Sequence, residues 1–408
     1  MIVPQNNKDF YEFLSGKKVL IEFLKNILTK EQNYVCSRVE CQQKPKNFEL
    51  EFLKNRLIFR CQSLGCRQYF SARNEVFSLQ STSNLSIHKV LEIYWYWSFK
   101  QPVNYTFNQC NLAEKTIINW YKKIRNILYD SMLDAPEMGG PGYRIQIDES
   151  LFQGKRKSNR GRLLSSDKGS KKSFRSKNYG DRVQGPWVFG LVCQKIEDIQ
   201  KVKAIKSQNH GKIKTYLRTF RKEARASSSN DKRKINTRFN RVYGQKRSYK
   251  SKLTTNFETI PKEVRMFVVE RRDAETLIPI IKRNCKVGSE IVSDEWRSYS
   301  QLKIHGYKHF KVNHTKNFVN PTTGKHTQLI ECLWNVAKQK IMRQSRGTSH
   351  ENLPSHLAEQ WFRSISPNSG HLVFKKILEF VRDYYINLQL KNYEQQALEQ
   401  ITSSIKTN

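Results

Sequence analysis

Residues 143–150 read YRIQIDES, and residues 290–296 read EIVSDEW. In each stretch apolar residues precede an aspartate, and in the first they alternate with polar residues, which is the period of a strand with one buried face. Asp148 and Asp294 follow these apolar residues. The two stretches therefore predict short strands that deliver a carboxylate at their ends.

A third carboxylate, Glu331, lies early in a predicted helix at residues 327–343. Carboxylates from two strand ends and one helix suit two Mg²⁺ ions, because hard cations prefer oxygen ligands. An aspartate at a strand end is also a common turn former or helix cap. Spacing alone leaves five competing acids in place, namely Glu149, Glu270, Asp273, Glu275 and Glu295.

Further strands at residues 186–194 and 264–270, with a helix at 274–284, predict an α/β domain with a mixed sheet. A Pro/Gly-rich break at 135–142 begins this domain, which we place at residues 141–343. Two insertions within it, at about residues 163–185 and 201–256, are rich in Lys and Arg. They are expected to be surface loops that contact phosphates.

Four cysteines near the N-terminus form two C-x4-C pairs, Cys36 with Cys41 and Cys61 with Cys66. Two thiolate pairs joined by a hairpin-like segment provide the four ligands of one structural Zn²⁺. We therefore predict a zinc ribbon over residues 31–75. The alternative is four reduced structural cysteines, since the usual spacing is C-x2-C.

Residues 84–132 predict two or three helices, the first capped by Ser86. A basic face on the last helix suits a helix-turn-helix-like region that binds DNA. A plain helical connector is the alternative. Helices at residues 1–30 and 344–390 complete the predicted organisation. The DNA-binding candidates on the last helix are Lys115, Lys122 and Lys123, with Arg125 on the same face.

The chain has 408 residues, with 73 Lys and Arg against 36 Asp and Glu, a net charge of +37. Such a charge indicates a polyanionic partner, most often nucleic acid. Aromatic residues make up 12% of the chain, which excludes a wholly disordered protein. No stretch approaches the ~20 apolar residues of a membrane span, and no signal peptide is evident, so we expect an intracellular protein without a membrane partner.

Four runs, taken together and in this order, resemble the transposases of Merlin-type elements and their bacterial insertion-sequence relatives with an ISXO2-like domain. The resemblance covers roughly residues 31–385 with the insertions left out. The runs are IDESLFQGKRKSNRGR at 147–162, PWVFG at 186–190, VSDEWRSYSQL at 292–302 and NHTKNFVNPTTGKHTQLIECLW at 313–334.

The resemblance implies an RNase H-like catalytic domain in which Asp148, Asp294 and Glu331 hold two Mg²⁺ (or Mn²⁺) ions. It places His326 near the site as a phosphate or carboxylate partner. Trp296 and Trp334 are expected in the core. The basic run expected to hold the DNA backbone contains Lys155, Arg156, Lys157, Arg160 and Arg162.

The sequence therefore predicts a DNA transposase that binds terminal repeats and catalyses metal-dependent cleavage and strand transfer on double-stranded DNA. Joining two ends implies a homodimer or larger assembly. The expected location is the nucleus in a eukaryotic host and the cytoplasm otherwise. Two alternatives remain, a domesticated DNA-binding protein that has lost cleavage and an RNase H-like nuclease.

Overall fold

The computed structural model describes most of the predicted catalytic region and the helices around it. Cys36 and the basic run from Lys155 to Arg162 lie outside the described residues, as do the two insertions apart from Lys201. The described residues are 4–28, 41, 48–53, 56–63, 65–66, 68–71, 85–152, 186–201, 261–313, 319–320, 323–345 and 347–406.

The N-terminal third combines helices with a small sheet. Its elements are α1 (Asn7–Ser15), α2 (Lys17–Leu28), β1 (Phe48–Leu53), β2 (Arg56–Cys61), β3 (Tyr69–Ser71), α3 (Ile87–Ser98), α4 (Val103–Cys110) and α5 (Glu114–Asp134).

The rest of the chain alternates strands and helices, with a short 3-10 turn at Arg297–Tyr299. Its elements are β4 (Met138–Gly139), β5 (Tyr143–Leu151), β6 (Trp187–Lys195), β7 (Glu263–Val269), α6 (Ala274–Asn284), β8 (Cys285–Lys286), β9 (Glu290–Ser293), β10 (Lys308–Lys311), α7 (Gln328–Ser345), α8 (Leu353–Ser364) and α9 (Gly370–Lys406).

A five-stranded sheet with the order β10-β9-β5-β6-β7 forms the centre of the molecule. Strands β5, β6 and β7 pair antiparallel, whereas β9 pairs parallel to β5 and β10 parallel to β9. The mixed sheet predicted from the sequence is thus confirmed. A salt bridge of 3.0 Å between Arg144 on β5 and Glu290 on β9 joins the two strands at their start.

Each face of the sheet buries its own apolar cluster. Ile145 and Ile147 pack with residues of α6 and with Tyr299 on one face. Val188 and Val192 pack with residues of α7 and α8 on the other. Helices on both faces of a mixed sheet make this an α/β fold, as the alternating sequence predicts.

Helix α7 lies close to the sheet because β6 carries a glycine beneath it. A Cβ added at Gly190 would lie 2.6 Å from Cζ2 of Trp334 and 3.1 Å from Cδ1 of Ile330. Trp334 is 5% exposed, so the prediction that it lies in the core is confirmed. The absence of a side chain at Gly190 therefore sets the distance between α7 and the sheet.

The N-terminal helices share one apolar core with α8 and α9. The Phe10 ring stacks on Trp95 with centroids 4.4 Å apart, and Phe374 of α9 meets Trp95 edge-on at 5.3 Å. Phe362 of α8 joins the same cluster. Such aromatic contacts contribute stability beyond the area they bury.

The small sheet and the helices before the catalytic region follow the sequence pattern. Strands β1 and β2 form the expected antiparallel hairpin, with Phe48 opposite Cys61. Ser86 caps α3, because its side chain accepts a hydrogen bond from the backbone N–H of Lys89 at 3.3 Å. Asn111 links α4 to α5 in the left-handed conformation, which asparagine tolerates.

Helix α9 is 37 residues long, yet polar residues recur along its whole length. Among the helices of the described part of the chain, none combines the length and apolar character that crossing a bilayer requires.

A buried ion cluster links α3, α5, α7 and α8. Glu359 of α8 forms ion pairs with Lys340 of α7 at 2.7 Å and with Arg363 at 3.2 Å. Arg363 also donates to the carbonyl oxygens of Trp97 and Ser98 at the end of α3. Burial opposes ionisation of Glu359, but the charges of Lys340, Arg363 and Arg125 outweigh it and lower the pKa of its carboxyl well below the usual range.

We predict that Glu359→Gln destabilises the protein strongly, because it leaves buried cations without their counter-charge. Loss of one partner from a buried ion pair typically costs ~3–5 kcal/mol. Urea unfolding followed by circular dichroism would measure the change.

Glu379→Gln provides a matched control, since Glu379 forms a half-exposed pair with Lys375 at 3.8 Å. That substitution should cost less than ~1 kcal/mol. Equal effects of the two variants would contradict the role given to the buried cluster.

Candidate active site

Asp148 and Asp294 belong to two adjacent parallel strands, β5 and β9. Asp148 lies inside β5, three residues before its end at Leu151, so the prediction that it ends the strand is wrong, whereas Asp294 directly follows β9. The pairing of the two strands ends at Gln146 and Val292, two residues before the aspartates, and the charge of Asp294 raises the pKa of Asp148. Both aspartates are half-buried.

Gln146 positions the start of α7 against this part of the sheet. Its side-chain oxygen accepts hydrogen bonds from the backbone N–H groups of Leu329 and Ile330 at 3.1 and 3.2 Å. Those N–H groups belong to the first turn of α7, where they have no partner inside the helix. Gln146 shares its strand face with Asp148, so the same face that carries the aspartate also holds α7.

Two side chains of α7 reach β5 beyond this turn. The indole N–H of Trp334 donates to Oδ2 of Asp148 at 2.9 Å. One helical turn later, Nζ of Lys338 donates to the Ser150 hydroxyl at 2.7 Å. Glu331, Trp334 and Lys338 are three and four residues apart, which is the spacing of one helix face.

Glu331 is held at the start of α7 by a local hydrogen bond. The hydroxyl of Thr327 donates to Oε1 of Glu331 at 3.1 Å, and Thr327 itself is buried. His326 directly precedes Thr327 and is half-buried. The Glu331 side chain is exposed, so it is the most accessible of the three predicted carboxylates.

The three carboxylates act on each other electrostatically. The pKa of Asp148 is raised to about 6, mainly by burial and further by the negative charges of Asp294 and Glu331. The hydrogen bond from Trp334 opposes this rise. A group of carboxylates gathered in this way favours a cation.

Glu149, the residue after Asp148 on β5, adds a fourth acid to this group. Its pKa is raised to about 8 by burial and by the charges of Asp294 and Asp148, while Arg272 acts in the opposite direction. The Tyr299 hydroxyl donates to Oε1 of Glu149. Glu149 alternates with Asp148 along β5, so the two side chains start on opposite faces of the sheet.

The donor set fits hard divalent cations, since all of its ligand atoms are carboxylate oxygens. Within the described ranges, Asp148, Asp294 and Glu331 do not bring one oxygen each within 4.8 Å of one another. The ligands of two ions about 3.5–4 Å apart lie farther from one another than the ligands of one ion. The separation of these carboxylate oxygens therefore fits a two-ion site.

The cysteines behave differently. One ligand atom each from Cys41, Cys61 and Cys66 lies within 4.8 Å of the others, and all three residues are buried. This cluster is a possible three-cysteine metal site. Cys36, expected as the fourth ligand, lies outside the described residues.

The predicted basic face of α5 is only partly exposed. Lys115 and Lys122 are exposed, whereas Lys123 is half-buried, with its Nζ 5.1 Å from the centre of the Tyr385 ring. Arg125, expected on the same face, is instead turned inward, where burial lowers the pKa of its guanidinium and Glu359 opposes that shift. The basic face predicted from the sequence did not reveal that α8 packs against this side of α5.

The structure also corrects one aromatic prediction and adds residues that the sequence did not single out. Trp296, expected in the core, is 40% exposed. Its indole N–H donates to the carbonyl oxygen of Arg272 at 3.0 Å, and this arginine had no local sequence signal. The contact of Lys338 could have been anticipated, because Lys338 lies two helical turns after Glu331.

Comparison with known proteins identifies the same part of the chain. The family model of the ISXO2-like transposase domain matches residues 202–364. That match contains Asp294 and Glu331 and begins after Asp148. An uncharacterized transposase-like protein of Haemophilus influenzae is 30% identical over 114 residues, which are 28% of this chain and 90% of that protein.

The mixed α/β fold is compatible with a transposase domain of this kind, which is an enzyme domain. A relative covered over nine-tenths of its length and a matching domain model agree on the same assignment. By its sequence, the chain belongs to a family of bacterial insertion-sequence transposases, those with an ISXO2-like transposase domain.

Proposed function

We propose that the protein is a DNA transposase that cleaves the ends of its element and joins them to target DNA with divalent metal ions. The observation that supports this proposal is the parallel pairing of β5 and β9, the strands that lead to Asp148 and Asp294, together with the docking on β5 of the helix that bears Glu331. The strand order also supports an RNase H-like fold for this region.

Asp148 and Asp294 would hold the ions from the sheet, and Glu331 would hold them from α7. Two ions held there would supply activation of the attacking oxygen and stabilisation of the leaving oxygen at a phosphate. Trp334 keeps Asp148 oriented through its 2.9 Å hydrogen bond. Lys338, beside Ser150, offers a positive charge to the same phosphate, and His326 is proposed as a further partner near the site.

DNA recognition is assigned to the N-terminal parts of the chain. The three buried cysteines, with Cys36, are proposed to bind one Zn²⁺ in a ribbon at residues 31–75. Helices α4 and α5, joined by a short turn, support a helix-turn-helix-like region at 84–132, with Lys115 and Lys122 available to phosphates. The remaining proposed parts are a helical segment at residues 1–30, the catalytic domain at 141–343 and C-terminal helices at 344–390.

We also propose that the protein is a transposase of the Merlin type. The residues proposed to contact the DNA backbone are Lys155, Arg156, Lys157, Arg160 and Arg162. A dimer or larger assembly on double-stranded DNA is proposed because two element ends must be joined. A nuclear location finds no support in a bacterial type of family.

The central test is nicking of a plasmid that carries the genomic DNA flanking the gene on both sides. With Mg²⁺ or Mn²⁺ we expect nicking, and Asp148→Asn, Asp294→Asn and Glu331→Gln should each reduce it by roughly 100-fold or more. Binding to the same DNA should persist in all three variants, and Glu275→Gln, which removes an exposed acid on α6, should cleave normally.

Each other outcome points elsewhere. Tight binding without cleavage in either metal would favour a domesticated DNA-binding protein. Cleavage of RNA in preference to DNA would favour an RNase H-like nuclease. Unchanged nicking by the three variants would remove the carboxylates from the mechanism.

A second prediction concerns pH. The folded protein raises the pKa of Asp148 to about 6, so folding favours the protonated carboxyl. This contribution to the free energy of unfolding is fully present below the ordinary pKa of an aspartate and is lost as the pH rises through 6. Asp148→Asn should therefore raise the unfolding temperature of the metal-free protein at about pH 7 and change it little at about pH 4.

Added Mg²⁺ should raise the unfolding temperature of the wild-type protein relative to that of Asp148→Asn at neutral pH. Binding to the folded state alone stabilises it, so the wild-type unfolding temperature should rise with Mg²⁺ while that of Asp148→Asn should not. The rise should shrink as protons compete for Asp148 in acid. Equal responses of both proteins to Mg²⁺ would contradict the assignment.

The zinc proposal has its own measurement. We expect about one zinc ion per purified chain, and Cys66→Ser should lose most of it because tetrahedral sites rarely tolerate three thiolates alone. Cys332→Ser is the matched control, since Cys332 is exposed and lies outside the cluster. Atomic emission spectroscopy would detect the metal, and a zinc-free wild-type protein would leave the cysteines as buried thiols.

A further inference from the structure

An arginine lies between two tryptophans beside the carboxylates. The guanidinium carbon of Arg272 is 3.7 Å from the centre of the Trp187 ring and 5.0 Å from that of Trp296. Both distances are within the range of cation–π interactions. Trp187 begins β6 and Arg272 follows β7, so the stack joins two neighbouring strands at the end of the sheet where β7 ends.

Two hydrogen bonds fix Trp296 and its loop in this arrangement. The carbonyl oxygen of Arg272 accepts from the Trp296 indole at 3.0 Å and from the Ser298 hydroxyl at 2.7 Å. A ring held in this way loses little conformational freedom when a ligand stacks on it. Trp296 nevertheless remains 40% exposed, so part of its ring is accessible to a ligand.

The stack is directly connected to the proposed cleavage site. The backbone N–H of Trp296 donates to Oδ1 of Asp294 at 3.0 Å. Arg272, which follows β7, also lowers the energy of the ionised Glu149 carboxylate on β5, two strands away. A group that stacks on Trp296 would therefore lie within a nucleotide or so of a phosphate held at Asp294.

We propose that Trp296, supported by Arg272 and Trp187, binds one unpaired base of the DNA strand that is cleaved or joined. This inference rests on the proposed function, because it takes DNA as the ligand of the adjacent carboxylates. A base inside a duplex has both faces covered by its neighbours, so only an unpaired base can offer a face to the indole.

Stacking rather than charge must supply the affinity at this position. Arg271 and Arg297, the sequence neighbours of Arg272 and Trp296, are exposed, and so are the adjacent Glu270 and Glu295. These exposed charges are equal in number and opposite in sign, and the carboxylates of Asp294 and Glu149 lie close to the stack. Stacking of a base on an aromatic ring is strong and tolerant of sequence, so the subsite should accept any of the four bases.

The test compares two fluorescein-labelled duplexes that differ only at one end, blunt or with a short 3′ thymidine overhang. Fluorescence anisotropy without added divalent metal measures binding alone. Wild-type protein should prefer the overhang by roughly fivefold or more, as expected for one stacked base. Trp296→Ala should abolish the preference and leave affinity for the blunt duplex within about twofold.

Two further variants separate stacking from folding. Trp296→Phe retains a ring but loses the hydrogen bond to Arg272, so it should keep part of the preference. Tyr11→Ala is the matched control, because Tyr11 is also 40% exposed and has one side-chain hydrogen bond, to Tyr96. It should keep the full preference, and circular dichroism should show all variants folded.

A 2-aminopurine in the overhang gives a readout that needs no variant, since its fluorescence should fall when it stacks on the indole. No such fall, or a preference that survives Trp296→Ala, would overturn the subsite. These results are independent of cleavage. Plasmid nicking with an unchanged preference would leave the transposase and remove the subsite, while the reverse pattern would retain the subsite alone.

Discussion

The contact between Trp334 and the bare backbone of Gly190 determines where α7 can lie. Since β6 offers no side chain at this point, the indole packs on the strand and its N–H reaches Asp148 on the neighbouring strand. Gln146 then fixes the first turn of the same helix through two backbone hydrogen bonds. With both contacts made, Glu331 lies on the same face of α7 as Trp334, and its charge raises the pKa of Asp148.

That arrangement has an electrostatic cost that the rest of the fold must offset. Burial and mutual repulsion oppose the ionised forms of Asp148 and Glu149, which are the forms that could bind a cation. The helices on both faces provide the necessary packing, with separate apolar clusters beneath α6 and α7. A rigid scaffold of this kind keeps like charges together although they favour separation.

Much of the fold could be predicted because its signals are local. The alternation in β5 and the apolar residues of β9 marked two strands correctly, and the Ser86 cap marked the start of α3. The partners of the candidate site could not be found in this way. Arg272 and Trp187 are 85 positions apart and meet only because β6 pairs with β7. The exposure of Trp296 likewise depends on tertiary packing, which an aromatic residue in a short loop does not reveal.

The core shared by the first and last helices has a consequence for biosynthesis. Trp95 and Phe10 remain without Phe362 and Phe374 until the ribosome has synthesised α8 and the start of α9. Contacts so distant in sequence form late, and exposed aromatic surface attracts chaperones and proteases in the meantime. An incomplete polypeptide that ended before α8 would thus carry Asp148 and Asp294 on a scaffold that lacks its closing layer and leaves aromatic surface exposed.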